Sequence, residues 1–111
     1  MSEAEPLART EWRDSFRISA DHPALRGHFP GLPVVPGVLL VTTALDAAER
    51  RLGSALAIDG IPQVKFLRPV RPDESVDVTF TLTATHLSLK FRCVEREVAN
   101  GTLSLRRANI Q

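Results

Sequence analysis

Between Arg26 and Leu52 the chain reads RGHFPGLPVVPGVLLVTTALDAAERRL, and no other stretch limits the possible folds as strongly. Three prolines and three glycines fall between Arg26 and Gly37, and no further breaker follows until Gly53. A proline near the first turn of a helix loses only an amide that has no intrahelical partner, and a glycine just past the end accepts a left-handed cap. The spacing therefore predicts a stiff loop feeding one helix from Pro36 to Leu52. Val38, Leu39, Leu40 and Val41, then Ala44, Leu45, Ala47 and Ala48, leave its first turns apolar on nearly every side, the pattern of a buried helix. Thr42, Asp46 and Glu49 are the exceptions, and their spacing of four and then three residues puts them on one stripe. His28 stands in the loop eight residues before the helix start and is expected to fold back towards that stripe or towards a neighbouring copy of it.

The rest of the chain reads as strands. From Thr10 to Ala20, Trp12, Phe16 and Ile18 alternate with polar residues, with an interruption at Asp14 and Ser15 that suggests a bulge. Ala55 to Ile58 is a short strand candidate before an Asp59-Gly60 turn, and Ile61 to Val70 is a stronger one, ended by Pro69 and Pro72. Val76, Val78, Phe80, Leu82 and Ala84 keep a period of two, and so do Leu87, Leu89, Phe91 and Cys93 after a turn near Thr85 and His86. Asn100-Gly101 has the composition of a type I′ hairpin turn leading to a last strand with Leu103 and Leu105. One buried helix followed by antiparallel strands excludes a parallel doubly wound sheet, so the class is α+β, with the sheet wrapping the helix.

At 111 residues the chain is one domain, 1–111, with Met1–Ala8 read as a frayed terminus. A net charge of +1 with scattered basic residues carries no nucleic-acid signature. The single cysteine, Cys93, rules out an internal disulfide or a cysteine zinc cluster and suits a reducing cytoplasm. The acidic N-terminus lacks the apolar core of a signal peptide, and the longest apolar run is far short of a membrane span. The expectation is a soluble cytoplasmic protein with no nucleic-acid or membrane partner, no metal and no cofactor.

Two blocks carry a family resemblance. His28-Phe29-Pro30-Gly31, Pro33 and Pro36-Gly37-Val38-Leu39 resemble the HFPGxPxxPGVL motif of the 3-hydroxyacyl-acyl-carrier-protein dehydratases of fatty acid synthesis, including their shorter aryl-polyene relatives. Gln63 to Val70 with Pro72-Asp73 is similar to the family's KxxFxRPVxPGD segment. The resemblance implies a hot-dog fold, a curved antiparallel sheet around one long helix, that pairs as a dimer with sites between subunits. It also implies loss of water from a 3-hydroxyacyl thioester, linked to acyl carrier protein or coenzyme A. By resemblance His28 maps onto the family's catalytic histidine, and Phe29, Gly31, Pro36, Gly37 and Val38 are candidate substrate-binding residues, with Thr42 as a further one. The amides of Gly37 and Val38, at the positive end of the helix dipole, are placed to bond a thioester oxygen.

Two positions depart from the family pattern. Thr42 stands where the family has Glu or Asp, and Asp46 where it usually has glutamine. A threonine hydroxyl is too weak an acid to replace a carboxyl group, so the candidate acid is Asp46, one turn along the stripe, with Thr42 steadying it. The other reading of Asp46 is an i, i+4 partner for Arg50. Arg26, Lys65, Arg68 and Arg71 are candidates to receive the phosphopantetheine arm or an acidic carrier surface. Three readings stay open: a dehydratase, a non-catalytic acyl-carrier-binding subunit paired with itself or an active homologue, and a hot-dog thioesterase.

Overall fold

The computed structural model describes residues 9–25 and 34–106. Strand β1 (Thr10–Phe16) is followed by a 3₁₀ turn at Pro23–Leu25 and helix α1 (Gly37–Leu52). Four strands follow: β2 (Ile58–Phe66), β3 (Val76–Leu82), β4 (His86–Cys93) and β5 (Arg96–Leu105). They form one antiparallel sheet in the order β1-β3-β4-β5-β2.

The alternation read in β3 and β4 is the alternation observed. Val76, Val78 and Phe80 on β3 and Leu87, Leu89, Phe91 and Cys93 on β4 are buried on the inner face. Thr79 and Thr81 of β3 pair with Lys90 and Ser88 of β4 on the outer face. Each large side chain fully buried in this layer contributes about 1.5–3 kcal/mol of transfer free energy. Against it lies α1, whose buried residues are Leu40, Val41, Ala44, Ala47 and Ala48. The spacing of these five is that of a single helical stripe, and the alanines let the helix backbone approach the sheet closely.

The helix ends where the sequence placed them. Pro36 is the N-cap, with no side-chain cap, and Gly53 closes the helix at φ 75° with its N–H donating to the Glu49 carbonyl at 2.8 Å. Arg50 and Arg51 sit in the last turn, where they complement the helix dipole. The expectation of burial on nearly every side is corrected: Val38 is 70% exposed, and Thr42, Asp46 and Arg50 are exposed too. A single sheet can cover only one side of a helix.

Three further expectations are corrected. Strand β1 pairs with β3 in continuous register and has no bulge, and Asp14 lies opposite Val78 on the inner face. Asp59-Gly60 is not a turn but part of β2, which shifts register between Ile58 and Gly60 and again between Gly60 and Gln63. Nor is Asn100-Gly101 a turn. Those residues lie mid-strand in β5, paired with Lys65 and Val64, and the β4–β5 hairpin turns at Val94-Glu95 instead.

Gly101 explains its own position: a Cβ there would come within 2.8 Å of Val64 Cγ2 and 3.1 Å of the Gln63 carbonyl. The glycine is a packing requirement between β2 and β5 rather than a turn residue. A second irregularity, between Phe91 and Arg92, makes Val98 an extra residue in β5, since Phe91 pairs with Ala99 and Arg92 with Glu97. Such bulges increase local twist and bend the sheet over the helix.

Candidate functional site

The bulge at Val98 builds one wall of the site. Its carbonyl accepts hydrogen bonds from the N–H groups of Leu67 at 2.8 Å and Arg68 at 3.2 Å, which directs the chain beyond β2. Val35 N–H donates to the Val70 carbonyl at 2.8 Å and ties the segment before the helix to this wall. Between the two runs an open groove of about 440 Å³. Val34, Val35, Pro36, Gly37, Val38 and Leu40 line one side, and Phe66, Leu67, Arg68, Pro69 and Val70 the other.

The amino end of α1 lies in this groove. Leu39 and Leu40 N–H both donate to the Pro36 carbonyl, at 3.0 and 3.3 Å, while no described residue accepts from Gly37 or Val38 N–H. Two aligned donors at the positive end of a helix dipole suit an oxygen that gains negative charge. The Phe66 ring lies over Gly37, where a Cβ would fall 2.6 Å from ring carbons Cε1 and Cζ. Phe66 and Leu67 are 52% and 50% exposed, so the lip of the groove is apolar as well as its floor.

A cavity of about 360 Å³ adjoins the groove, lined by Arg68, Pro69, Arg71, Glu74 and Arg96. Glu74 organises it. Its Oε1 accepts the Arg71 N–H at 3.0 Å and its Oε2 accepts Arg96 Nη2 at 2.7 Å. The Arg71 N–H first, and the Arg96 guanidinium second, hold the Glu74 carboxyl below its ordinary value of 4.5. The same bond raises the Arg96 guanidinium further. Nearby, burial pushes the Cys93 thiol up from 9.0.

Pro36, Gly37 and Val38 line the groove together. His28, Phe29, Gly31 and Arg26 lie outside the described residues. Thr42 and Asp46 share the exposed stripe, so a partly buried Asp46 carboxyl is not found in the single chain. Thr42 Oγ1 donates to the Leu39 carbonyl at 3.3 Å, which turns its hydroxyl onto its own helix rather than onto Asp46. Asp46 and Arg50 form no ion pair among the described residues. Glu49 is not a free carboxylate at the helix end: its Oε2 accepts the Leu56 N–H at 2.8 Å and holds the chain leaving the helix.

Of the basic residues, Arg68 and Arg71 meet, whereas Lys65 pairs with Asn100 on the outer face and leaves the group. His86, read from the sequence as part of a turn, is instead the first residue of β4, opposite Ser104, with its Nδ1 2.8 Å from Thr85 Oγ1. Cys93 is core packing, as its alternation suggested. Sequence reasoning missed Phe66 and Leu67 as site residues and missed Arg96 and Glu74 altogether. The first two had a signal, a pair of large apolar residues just before Arg68-Pro69. The last two had none, since they meet 22 residues apart in sequence. Among the described residues no three His, Cys, Asp or Glu side chains are grouped to hold a metal.

Comparison with known proteins places this geometry. The family described as ApeI-like, ApeI dehydratase, matches residues 5–102. A 3-hydroxyacyl-[acyl-carrier-protein] dehydratase from Wolbachia sp. subsp. Drosophila simulans is 29% identical over 99 residues, covering 78% of this chain and 69% of that protein. One from Natranaerobius thermophilus is 34% identical over 90 residues, covering 75% of this chain and 62% of that protein. The chain spans between about half and two thirds of the length of the curated relatives it matches, from 51% to 69%. Among solved structures, the dehydratase heterocomplex ApeI:P from Xenorhabdus doucetiae superposes with a TM-score of 0.75 at 21% identity, over 90% of this chain and 95% of that one. That likeness establishes the hot-dog fold.

Proposed function

The chain belongs to the ApeI-like dehydratase family, and from that premise we propose that it removes water from a 3-hydroxyacyl thioester to give the trans-2-enoyl thioester. The observation that carries the reading is the pair of amides, Gly37 and Val38, that no described residue accepts from, in an apolar groove. A thioester carbonyl bonded there becomes more acidic at the adjacent carbon, because the charge that develops on its oxygen meets preorganised donors. His28 takes the proton from that carbon. The C–O bond at the third carbon then breaks, and the hydroxyl leaves as water with a proton from an acid.

In this reading the acid is Asp46, whose stripe also carries Thr42 and Val38. The stripe is open in the single chain, so the site is completed by a second subunit that covers it and desolvates the carboxyl. The partner is a second copy of the chain or a related dehydratase. The heterocomplex of ApeI:P is a precedent for the latter in another protein. The substrate is linked to acyl carrier protein or coenzyme A, Phe29, Gly31 and Pro36 are the substrate-binding residues that the family resemblance implies, and the protein acts in the cytoplasm.

A second reading is favoured by one observation, the Thr42 hydroxyl bonded to its own helix, at the position where the resemblance puts the family's carboxylate. Here the chain binds the acyl carrier and leaves catalysis to an active homologue. Turnover of 3-hydroxyacyl thioesters by the purified protein separates the two. The dehydratase reading expects activity that falls by about a hundredfold or more in both His28→Ala and Asp46→Asn. Turnover unaffected by Asp46→Asn removes Asp46 as the acid. Carrier binding with no turnover favours the subunit.

A further inference from the structure

We infer that strand β1 is an interface, its free edge pairing antiparallel with the same edge of a second copy of the chain about a two-fold axis at Trp12. Among the described strands the sheet order leaves two edges, β1 and β2, and they are built differently. On β2 the register shifts twice, and Pro62 has no N–H to offer a further strand. Both features discourage edge pairing. Strand β1 contains no proline and keeps unbroken register with β3. The N–H and C=O groups on its other side are therefore arranged to accept a strand. This edge is at the opposite end of the sheet from β2, which carries Phe66 and one wall of the groove. The contact is thus separate from the second subunit that completes the site, and it does not rest on the dehydratase reading.

Charge decides the occupant. Glu11, Arg13 and Ser15 stand on the outer face, in line with Thr81, Thr79 and Asp77 of β3, while Trp12 and Asp14 stand on the inner face, in line with Phe80 and Val78. Antiparallel pairing keeps each face continuous only when the axis passes at a residue rather than between two. Centred on Glu11, Arg13 or Asp14, the pairing sets a like charge against itself, and centres nearer either end shorten the overlap. Centred on Trp12, it sets Glu11 against the second copy's Arg13, and Arg13 against the second copy's Glu11. On the inner face Asp14 comes diagonal to the second copy's Trp12, the ring over which Arg51 lies at 5.5 Å. Long side chains span such a diagonal. Arg13, Asp14 and Arg51 form no ion pair among the described residues, and Glu11 has only the exposed Arg9 at 3.2 Å. An open cavity of about 420 Å³ along this edge, lined by Arg13, Asp14, Ser15 and Asp77, leaves room for the incoming side chains.

Sedimentation equilibrium of the full chain at low salt tests this without needing turnover. A short strand pair buries less than the roughly 1,200 Å² of a standard interface, so the dissociation constant is expected on the order of 100 μM. The wild-type chain then doubles its mass between about 10 μM and 1 mM, whichever unit is present at the low end. Arg13→Glu and Glu11→Arg each set like charges against one another at two places and weaken this step by at least about tenfold. Both positions are exposed, so the variants keep the wild-type urea midpoint closely. Mixed in equal amounts the two variants restore the doubling, and so does Glu11→Arg/Arg13→Glu in one chain, because each charge again meets its opposite across the axis. A mass that stays constant in the wild type overturns the inference. So does a doubling that both single variants keep, since the contact then lies on the α1 stripe or on β2. A loss that neither mixing nor the double substitution rescues overturns it as well.

Discussion

At the scale of single residues, two glycines look alike in sequence and differ in what surrounds them. The three atoms nearest a Cβ at Gly37 all belong to the Phe66 ring, a half-exposed side chain that is able to swing away. At Gly101 it meets Val64 Cγ2 at 2.8 Å and backbone atoms, the Gln63 carbonyl at 3.1 Å and Val64 Cα at 3.2 Å. Gly37→Ala is expected to cost about 1 kcal/mol or less, partly offset by the helix propensity of alanine, and Gly101→Ala about 2–3 kcal/mol. Urea denaturation of the two variants checks the order, and the reverse order refutes the packing account of Gly101. Cys93 is fully buried and its thiol is raised by burial. It should react with a thiol reagent only as fast as the chain opens, so a disulfide-exchange assay gives a fast phase in urea and none in native buffer.

At the scale of elements, the β4–β5 hairpin carries a visible cost. Val94 adopts φ 54° with 79% of its surface exposed, and a β-branched side chain in the left-handed region is strained whatever surrounds it. Val94→Asn is expected to stabilise the protein by about 1 kcal/mol, since asparagine tolerates that conformation. A lowered melting temperature for that variant contradicts the strain argument. Helix α1 has the opposite character: its capping glycine and its last-turn arginines agree with the local sequence. Only its uncapped amino end departs from the usual pattern, and that end faces the groove.

At the scale of the whole molecule, Glu74 joins the turn after the groove wall to the far end of β5. Its carboxyl is held below its ordinary 4.5 by the Arg71 N–H and the Arg96 guanidinium. A depressed folded-state value means that the unfolded chain takes up the proton first. The stabilisation is therefore complete above about pH 4.5 and is lost as pH falls through the lower folded-state value. Glu74→Gln should lower stability near neutrality and remove this part of the acid limb, read as a flatter plot of urea midpoint against pH between about 5 and 3. An unchanged slope means that Glu74 does not link the two segments energetically.

By itself the sequence determined the helix and its limits, the inner faces of β3 and β4, the packing role of Cys93, and the family. These depend on spacing, cap chemistry and fixed proline and glycine positions, which act over a few residues. Tertiary structure alone decided that Asn100-Gly101 lies mid-strand, that Val98 is an extra residue whose carbonyl sets the groove wall, and that Arg96 meets Glu74. It also decided that the Thr42 and Asp46 stripe stands open in the single chain. Register and convergence between distant strands depend on which side chains can approach one another in the sheet, and no local pattern encodes that.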